Sequence, residues 1–172
     1  MKKNKINIYL IIIIYSLFLF FPIIIYDPDI EYEVIRRYHT WLTPYVYQLI
    51  YFNSKEFGVS TSEICGLIKE ESGGNPNAIS VANARGLCQI IGKYHYNGDA
   101  NNLFDESLNI HLGIKILNDY LKMAKGDLKL ALRYYNAGPY ASYYNNWGYI
   151  NKIIYHSKTT KHLLNKHIIV VE

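Results

Sequence analysis

The chain has 172 residues, of which 50% are hydrophobic and 19% are charged, and its formal net charge at pH 7 is +4. This composition excludes a disordered or collagen-like protein. The mild charge, part of which comes from Lys2, Lys3 and Lys5, argues against a dedicated nucleic-acid binder, so we expect no nucleic-acid partner. Residues 27–172 are enough for one domain with an ordinary hydrophobic core and too few for two.

The N-terminal segment 1–26 contains an uncharged stretch from Ile6 to Tyr26. A helix of that length reaches roughly 30 Å, the thickness of the hydrocarbon core of a bilayer. The stretch is longer than the apolar region of a secretory signal peptide, and no Ala-x-Ala cleavage pattern follows it. We therefore predict a retained membrane anchor, which makes the membrane one partner, and keep a cleaved signal peptide as the alternative.

The charges on the two sides of this stretch predict its orientation. Lys2, Lys3 and Lys5 precede it, whereas acidic residues dominate positions 27–33. The positive-inside rule then places the N-terminus in the cytoplasm. The rest of the chain would lie on the periplasmic or extracellular side of the cytoplasmic membrane, or would be secreted if the segment is cleaved.

The first elements after this segment follow from periodicity and helix caps. Residues 27–43 are polar and mixed, and we predict a short connector or a partly ordered lead-in there. A helical period begins at Pro44, and this helix should end near Gly58. Ser60 and Glu63 have the spacing of a capping box, which predicts the start of the next helix.

The second half of the chain is also mostly helical. Residues 73–105 are rich in Gly, Asn, Ser and Ala, which predicts a loop region with a short, irregular sheet. The helical period returns over residues 105–124, and Asp127 can cap a further helix. Isoleucines at positions 150–154 indicate a last helix, and a basic, weakly patterned tail is predicted over residues 157–172. The predicted fold class is α+β, mainly α.

Glu71 is the residue whose chemistry stands out from this pattern. It continues the apolar stripe of Ile64, Leu67 and Ile68 at position i+7, in the last turn before Ser72. Partial burial and the negative end of the helix dipole should both raise the pKa of Glu71, so that it holds a proton near neutral pH. Such a carboxyl suits general acid catalysis of glycoside cleavage. Periodicity alone leaves open an ordinary interfacial glutamate with its head group in water.

Four sequence blocks carry a resemblance to a known family. In chain order they are Ile68–Ser80, Ala84–Ile90, Leu103–Gly113 and Ala131–Pro139. They read IKEESGGNPNAIS, ARGLCQI, LFD followed by NI and LG, and a run that ends in YYNAGP. Together they resemble the signatures of the soluble lytic transglycosylase (SLT) family of peptidoglycan-cleaving enzymes. The resemblance implies a lysozyme-like fold with a small antiparallel sheet over residues 44–156.

The resemblance also assigns roles to five residues. Glu71 corresponds to the single catalytic acid and base of the family. Ser80 corresponds to a hydroxyl residue near that carboxyl, and Gln89 to a glutamine that lines the sugar cleft. Tyr135 corresponds to a tyrosine whose hydroxyl approaches the catalytic glutamate, with Asn136 in the same block as a further substrate-binding candidate. The residues themselves leave open that Tyr135 is a core aromatic and that Asn136 fixes the turn.

Two positions depart from the family pattern. Cys88 stands where the family usually has Met, and Ile91–Gly92 replaces a common Met-Pro pair, so the adjoining loop should differ. We expect Cys65 and Cys88 to be unpaired thiols, with a disulfide as the alternative in an oxidising compartment. Asp105 is expected to cap a helix rather than to serve as a second catalytic carboxylate.

The resemblance implies a peptidoglycan lytic transglycosylase that cleaves the MurNAc-β-1,4-GlcNAc bond and leaves 1,6-anhydro-MurNAc ends. Its partners would be peptidoglycan glycan strands, with a cell-envelope assembly as a further candidate. No metal or other cofactor is expected, since the six histidines show no metal-ligand spacing such as HExxH. Two alternatives stay open: a lysozyme-type hydrolase of the same fold, and a non-catalytic peptidoglycan-binding module of an envelope-spanning machine.

Overall fold

The computed structural model describes residues 23–24, 28–140, 146–166 and 170–171. The apolar stretch that we predict as a membrane anchor lies outside these ranges, except for Ile23–Ile24. Within the described ranges, no helix has both the length and the apolar character that crossing a bilayer requires.

Helices make up most of the described chain, together with short strands. The elements are β1 (Ile23–Ile24), α1 (Pro28–Tyr38), α2 (Pro44–Phe57), α3 (Thr61–Glu71), β2 (Ala84–Arg85), β3 (Ile90–Ile91), α4 (Gly92–His95), a 3-10 helix (Ala100–Phe104), α5 (Glu106–Met123), α6 (Leu128–Ala137), α7 (Trp147–Lys166) and β4 (Val170–Val171).

The ends of α2 and α3 are set by local chemistry, as the sequence predicts. The Thr43 hydroxyl accepts a hydrogen bond from the Val46 backbone N–H at 3.1 Å and so caps the start of α2. Gly58 ends this helix in the left-handed region, with φ of 69°. At the start of α3, the Ser60 backbone N–H donates to the Glu63 carboxylate at 3.3 Å, which confirms the capping box.

Two aspartates cap the next long helices. The Asp105 carboxylate accepts from the Leu108 N–H at 2.8 Å at the start of α5, and the Asp127 carboxylate accepts from the Leu130 N–H at 3.2 Å at the start of α6. Each bond satisfies a backbone donor that the first helical turn leaves free. The expectation that Asp105 serves as a helix cap is therefore confirmed.

Helix α3 is the central helix of the domain. Its residues Ile64–Ile68 are all buried, so it is covered on nearly every side. It packs most extensively on α7. Gly66 permits this close contact, because a Cβ atom there would lie 2.8 Å from the carbonyl oxygen of Ile153 and 3.3 Å from the backbone nitrogen of Ser157. This packing fixes the end of α3, and with it Glu71, at the edge of the core.

The sheets are small and antiparallel. Strands β2 and β3 pair with Ala84 opposite Ile91 and Arg85 opposite Ile90, and Ile79 forms an isolated bridge with Arg85. Strands β1 and β4 pair separately. The predicted short, irregular sheet and the mainly α fold class are thus confirmed.

The predicted connector at residues 27–43 is wrong in one respect, because Pro28–Tyr38 form helix α1. Its buried positions are Glu31, Val34 and Ile35, so a glutamate interrupts the apolar stripe of this helix. Hydrophobic periodicity counts a buried glutamate as solvent-facing, so the helix reads as polar in the sequence.

The predicted tail over residues 157–172 is wrong for a similar reason, since α7 continues to Lys166. The buried stripe of Ile150 and Ile153 continues with Ser157 and Thr160, which are polar. The Thr160 hydroxyl is satisfied by donating to the His156 carbonyl at 2.8 Å. A hydroxyl with such a partner is tolerated in a core, although a hydrophobic pattern cannot reveal it.

Candidate active site

An open cleft lies at the C-terminal end of α3. Its volume is about 290 Å³. Polar lining is supplied by Glu71, Ser80, Gln89, His95, Tyr135 and Asn136, and apolar lining by Ala82, Ala84, Ile90, Ile91 and Ile116. The five residues that the sequence assigns to the site are thus brought to one cleft by α3, α6 and the segment that carries the β2–β3 hairpin.

Glu71 is the last residue of α3, and its carboxyl lies inside this cleft. The hydroxyl of Tyr149, on α7, donates a short hydrogen bond to its Oε1 atom. Beyond Glu71 the chain leaves the helix at once, since the Ser72 hydroxyl donates to the Ile68 carbonyl at 3.3 Å and accepts from the Gly74 N–H at 3.1 Å. Helix α3 therefore ends with Glu71 oriented by a contact from α7.

The pKa of Glu71 is raised from its ordinary value of 4.5 to about 7. Burial is the largest cause, because it penalises the charged form of the carboxyl. The hydrogen bond from Tyr149 opposes this effect by favouring the charged form, and the negative charge of Glu70 adds to it. A carboxyl with this pKa can both give and take a proton near neutral pH.

Asn109 of α5 holds the turn between β2 and β3. Its amide nitrogen donates to the Leu103 carbonyl at 2.7 Å and the Arg85 carbonyl at 2.8 Å, and its amide oxygen accepts from the Cys88 N–H at 2.7 Å. Gly86 makes room for it, with φ of 76° and with no space for a Cβ atom, which would lie 2.3 Å from the Asn109 nitrogen. One buried side chain thus fixes the floor of the cleft.

Ser80 and Gln89 lie on the same wall. The Ser80 hydroxyl oxygen accepts from the Ala84 N–H at 3.1 Å, which leaves its hydrogen free to donate. The Gln89 amide nitrogen donates to the Gly86 carbonyl at 2.9 Å and the Ala78 carbonyl at 3.2 Å. Both donors of Gln89 are used within the protein, so its amide is held rigid against the cleft.

The two tyrosines near Glu71 have different partners. The Tyr135 hydroxyl donates to the Cys88 carbonyl at 2.8 Å, whereas the hydroxyl that contacts Glu71 belongs to Tyr149. Tyr135 both lines the cleft and packs against the core. It is therefore partly a cleft residue and partly a core aromatic. Tyr149 is not identifiable as a site residue from the sequence. In the sequence it stands directly before the Ile150–Ile153 stripe. In a chain with 18 tyrosines, one more tyrosine beside an apolar stripe reads as a core aromatic.

Asn136 and His95 complete the rim. The Asn136 amide oxygen accepts from the Asn146 side chain at 2.9 Å, a contact that joins the end of α6 to the start of α7. His95, on the short helix α4, lines the cleft and was also not identified from the sequence. Burial lowers the pKa of His95 below its ordinary value, which favours the neutral imidazole.

Both cysteines are buried free thiols, as expected. The Cys88 side chain lies against Gly113 of α5, where a Cβ atom would approach its sulfur within 2.6 Å. The absence of a side chain at Gly113 therefore leaves room for the Cys88 thiol. Burial raises the pKa of the Cys88 thiol, so it lies under the cleft as an uncharged group.

Among the described residues that line the cleft, Glu71 is the sole carboxylate. Across the described ranges as a whole, no three His, Cys, Asp or Glu side chains are grouped to hold a metal ion. The arrangement offers one proton donor and acceptor, a rigid amide, a hydroxyl and apolar walls.

These features define a mainly helical α+β domain whose central helix ends in a single carboxyl at an open cleft. The sequence model of the transglycosylase SLT domain matches residues 48–152, more than half of the chain. The chain therefore belongs to the transglycosylase SLT domain family.

Two relatives place the match in context. The chain is 30% identical over 95 residues to a transglycosylase of Enterobacteria phage PRD1, and the match covers 55% of this chain and 34% of the phage protein. It is also similar to the X-ray structure of an inactive variant of the lytic transglycosylase Slt from Pseudomonas aeruginosa. That match has a TM-score of 0.61 and 20% identity, and it covers 72% of this chain and 25% of the other. The second match shows the lysozyme-like fold. The chain spans about a third of the phage relative and a quarter of Slt.

Proposed function

We propose that this domain is a peptidoglycan lytic transglycosylase that cleaves the MurNAc-β-1,4-GlcNAc bond, with Glu71 as its single acid and base. The observation that carries the proposal is the Glu71 carboxyl, which lies in the cleft with a pKa of about 7. Membership of the SLT domain family supports the choice of peptidoglycan as the substrate.

In the first step, protonated Glu71 donates its proton to the oxygen that links the two sugars. The bond from that oxygen to C1 of the muramyl residue breaks, and positive charge develops at C1 and the ring oxygen. Glu71 is left as a carboxylate, and the hydroxyl of Tyr149 donates to its Oε1 atom. This hydrogen bond stabilises the charged form at the moment when it is needed.

In the second step, the oxygen of the C6 hydroxyl of the same muramyl residue attacks C1. Glu71 takes the hydroxyl proton, so that the acid form is restored and a 1,6-anhydro ring is formed without water. An attacking group tethered to its target can reach an effective concentration of ~10⁵ M or more. This is why one carboxyl suffices here, whereas most glycoside hydrolases use a pair.

The test is digestion of purified peptidoglycan by the full chain and by a Glu71→Gln variant, followed by mass spectrometry of the released muropeptides. We expect anhydro products, each one water lighter than a hydrolysis product, from the wild type and none from Glu71→Gln. Glu56→Gln is the matched control, because it removes a carboxylate from the exposed end of α2.

Other outcomes identify the alternatives. Products with reducing ends would assign a lysozyme-type hydrolase. Binding to peptidoglycan without release by the wild type would assign a non-catalytic binding module. Cleavage by Glu71→Gln at a rate near that of the wild type would exclude Glu71 as the acid and base.

We further propose that segment 1–26 is retained as a membrane anchor with its N-terminus in the cytoplasm. The uncharged stretch from Ile6 to Tyr26 and the lysines before it support this orientation. The domain would then act on glycan strands next to the outer face of the cytoplasmic membrane, alone or within an envelope assembly. Full-length protein should resist alkaline extraction from membranes and be digested by protease added outside the cytoplasm; release into the medium as a shortened chain would indicate a cleaved signal.

A further inference from the structure

One face of α7 contacts both carboxylates at the end of α3. Tyr149, Lys152 and His156 lie at positions i, i+3 and i+7 of α7, and this spacing puts them on one side of the helix. Tyr149 donates to Glu71, as described above. Lys152 and His156 instead contact Glu70, the residue before it.

Glu70 is held mainly by the histidine. Its Oε1 atom lies 3.1 Å from His156 Nε2, and its Oε2 atom lies 3.5 Å from Lys152 Nζ. The side chains of Glu70 and His156 are 15% and 17% exposed, whereas that of Lys152 is 68% exposed. An ion pair with a lysine so exposed contributes little, so the contact with His156 sets the position of the Glu70 carboxylate.

The same histidine connects Glu70 to α1. The Tyr38 hydroxyl lies 2.7 Å from His156 Nδ1, so both ring nitrogens of His156 have a partner. One turn further along α7, the Thr160 hydroxyl pairs with the buried His39 ring at 2.9 Å. Helix α1 therefore fixes the ring that orients Glu70, and Glu70 has little freedom to move away from the end of α3.

We propose that Glu70 is a positioning residue for Glu71: it fixes the last turn of α3 on α7 through His156 and keeps a negative charge beside the catalytic carboxyl. The inference rests on the proposed function for its catalytic meaning. Its physical content, a carboxylate that biases the protonation of its neighbour, can be measured without substrate.

The direction in which Glu70 changes the pKa of Glu71 follows from the placement of the two carboxylates. A negative charge near a second carboxyl disfavours the ionisation of that carboxyl. Burial is the largest cause of the raised pKa of Glu71, and the charge of Glu70 acts in the same direction. The charge of Glu70 thereby adds to the effect of burial and favours the protonated state of Glu71, which the first step of the proposed mechanism uses.

Within the described part of the chain, the other titratable groups that face these two carboxylates come from several elements. Glu71 is faced by the hydroxyls of Tyr149 from α7 and Tyr135 from α6, and by the Cys88 thiol below the cleft. His95 lines the same cleft from α4. Glu70 is faced by Tyr149, Lys152 and His156 from α7 and by Tyr38 from α1.

The test is a pH titration of the Glu71 side-chain carboxyl by carbon-13 NMR, with the full chain in a non-ionic detergent and the Glu71 signal assigned by its loss in Glu71→Gln. Glu70→Gln removes the charge but keeps an oxygen that can accept from His156. We expect it to lower the Glu71 midpoint by about half a pH unit or more. Glu56→Gln removes an exposed carboxylate near the end of α2, 15 positions before Glu71 in the chain, and should leave the midpoint unchanged.

A second variant keeps the test decisive if Glu70→Gln does not fold. Lys152→Glu changes an exposed side chain and adds negative charge beside Glu70, so it should move the Glu71 midpoint to higher pH. An unchanged midpoint in the folded variants, or an equal shift in Glu56→Gln, would overturn the inference. If the wild type titrates as expected but cleaves no peptidoglycan, the proposed function fails while the role of Glu70 stands.

Discussion

The surroundings of Glu71 have opposing effects on its pKa. Burial and the charge of Glu70 favour its protonated form, whereas the hydroxyl of Tyr149 favours the carboxylate. In the proposed mechanism Glu71 acts first as an acid and then as a base. It then needs both influences, because neither form can be too stable. The balance comes from residues on α3 and α7, two helices that meet closely only because Gly66 has no side chain.

At this scale we predict the effect of Tyr149→Phe. Loss of the hydroxyl removes the hydrogen bond that stabilises the charged form, so the pKa of Glu71 should rise further. Glycan cleavage at pH 7 should fall by roughly tenfold or more, because the carboxyl is also less well placed. The carboxyl titration and the pH–rate profile measure the two effects.

Tyr135→Phe is the matched control for the titration. Its hydroxyl bonds to the Cys88 carbonyl rather than to Glu71, so the Glu71 midpoint should stay near that of the wild type. A Glu71 midpoint that does not respond to Tyr149→Phe would mean that this hydrogen bond is absent in solution.

At the scale of elements, the contact between α3 and α7 positions the whole site. Helix α3 carries Glu70 and Glu71, and α7 carries the three side chains that contact them. Helix α5 fixes the floor of the cleft through Asn109. Tyr38 at the end of α1 and His39 just after it contact α7. The active-site geometry is therefore a property of helix packing rather than of one loop.

We predict that Gly66→Ala pushes α3 and α7 apart. The new Cβ atom would lie 2.8 Å from the Ile153 carbonyl oxygen, which is backbone and cannot rotate away. Overpacking of this kind should lower the free energy of unfolding by about 1–3 kcal/mol, and it should reduce cleavage because the Tyr149–Glu71 contact lengthens. Denaturant unfolding followed by circular dichroism gives the first quantity.

Gly148→Ala is the control, since a Cβ atom at that position of α7 has nothing within 4 Å. Alanine should leave stability unchanged or raise it by up to about 1 kcal/mol, because glycine is a poor helix former. Equal losses of stability in the two variants would show that the close approach at Gly66 is not limiting.

At the scale of the whole molecule, two buried groups link stability to pH with opposite signs. Burial raises the pKa of Glu71 from 4.5 to about 7. The contribution of Glu71 to the free energy of unfolding is therefore full below pH 4.5 and is lost as the pH rises through 7. Burial also lowers the pKa of His39 from 6.5 to about 4, with smaller contributions from His156 and Lys69. The stabilisation from His39 is full above pH 6.5 and is lost as the pH falls through 4.

The two contributions therefore oppose each other between about pH 4.5 and 6.5, and we predict that single variants expose them. Each is on the order of 3 kcal/mol at most. Relative to the wild type, Glu71→Gln should gain stability as the pH rises from 4.5 to 7, and His39→Gln should lose it. Urea unfolding at pH 4.5 and pH 7 measures the free energy of unfolding of each variant and of the wild type. Variants with the same pH dependence as the wild type would show that the pKa values of these groups do not change on folding.

Much of the fold can be predicted from sequence because its signals are local. The caps at Thr43, Ser60, Asp105 and Asp127 bond to backbone groups within one turn, so the chain itself specifies where those helices begin. The cleft position of Glu71 is predictable for a similar reason, since it lies one stripe position beyond Ile68 on the same helix.

The sequence by itself determined where α2, α3, α5 and α6 begin, the family resemblance and the carboxyl at the end of α3. The tertiary structure decided that α1 is a helix, that α7 continues to Lys166, and that Tyr149 rather than Tyr135 contacts Glu71. The reason is that buried polar groups are stabilised by partners far along the chain, such as His39 with Thr160, 121 positions away. Only packing brings such partners together, and until then each polar residue reads as part of the surface.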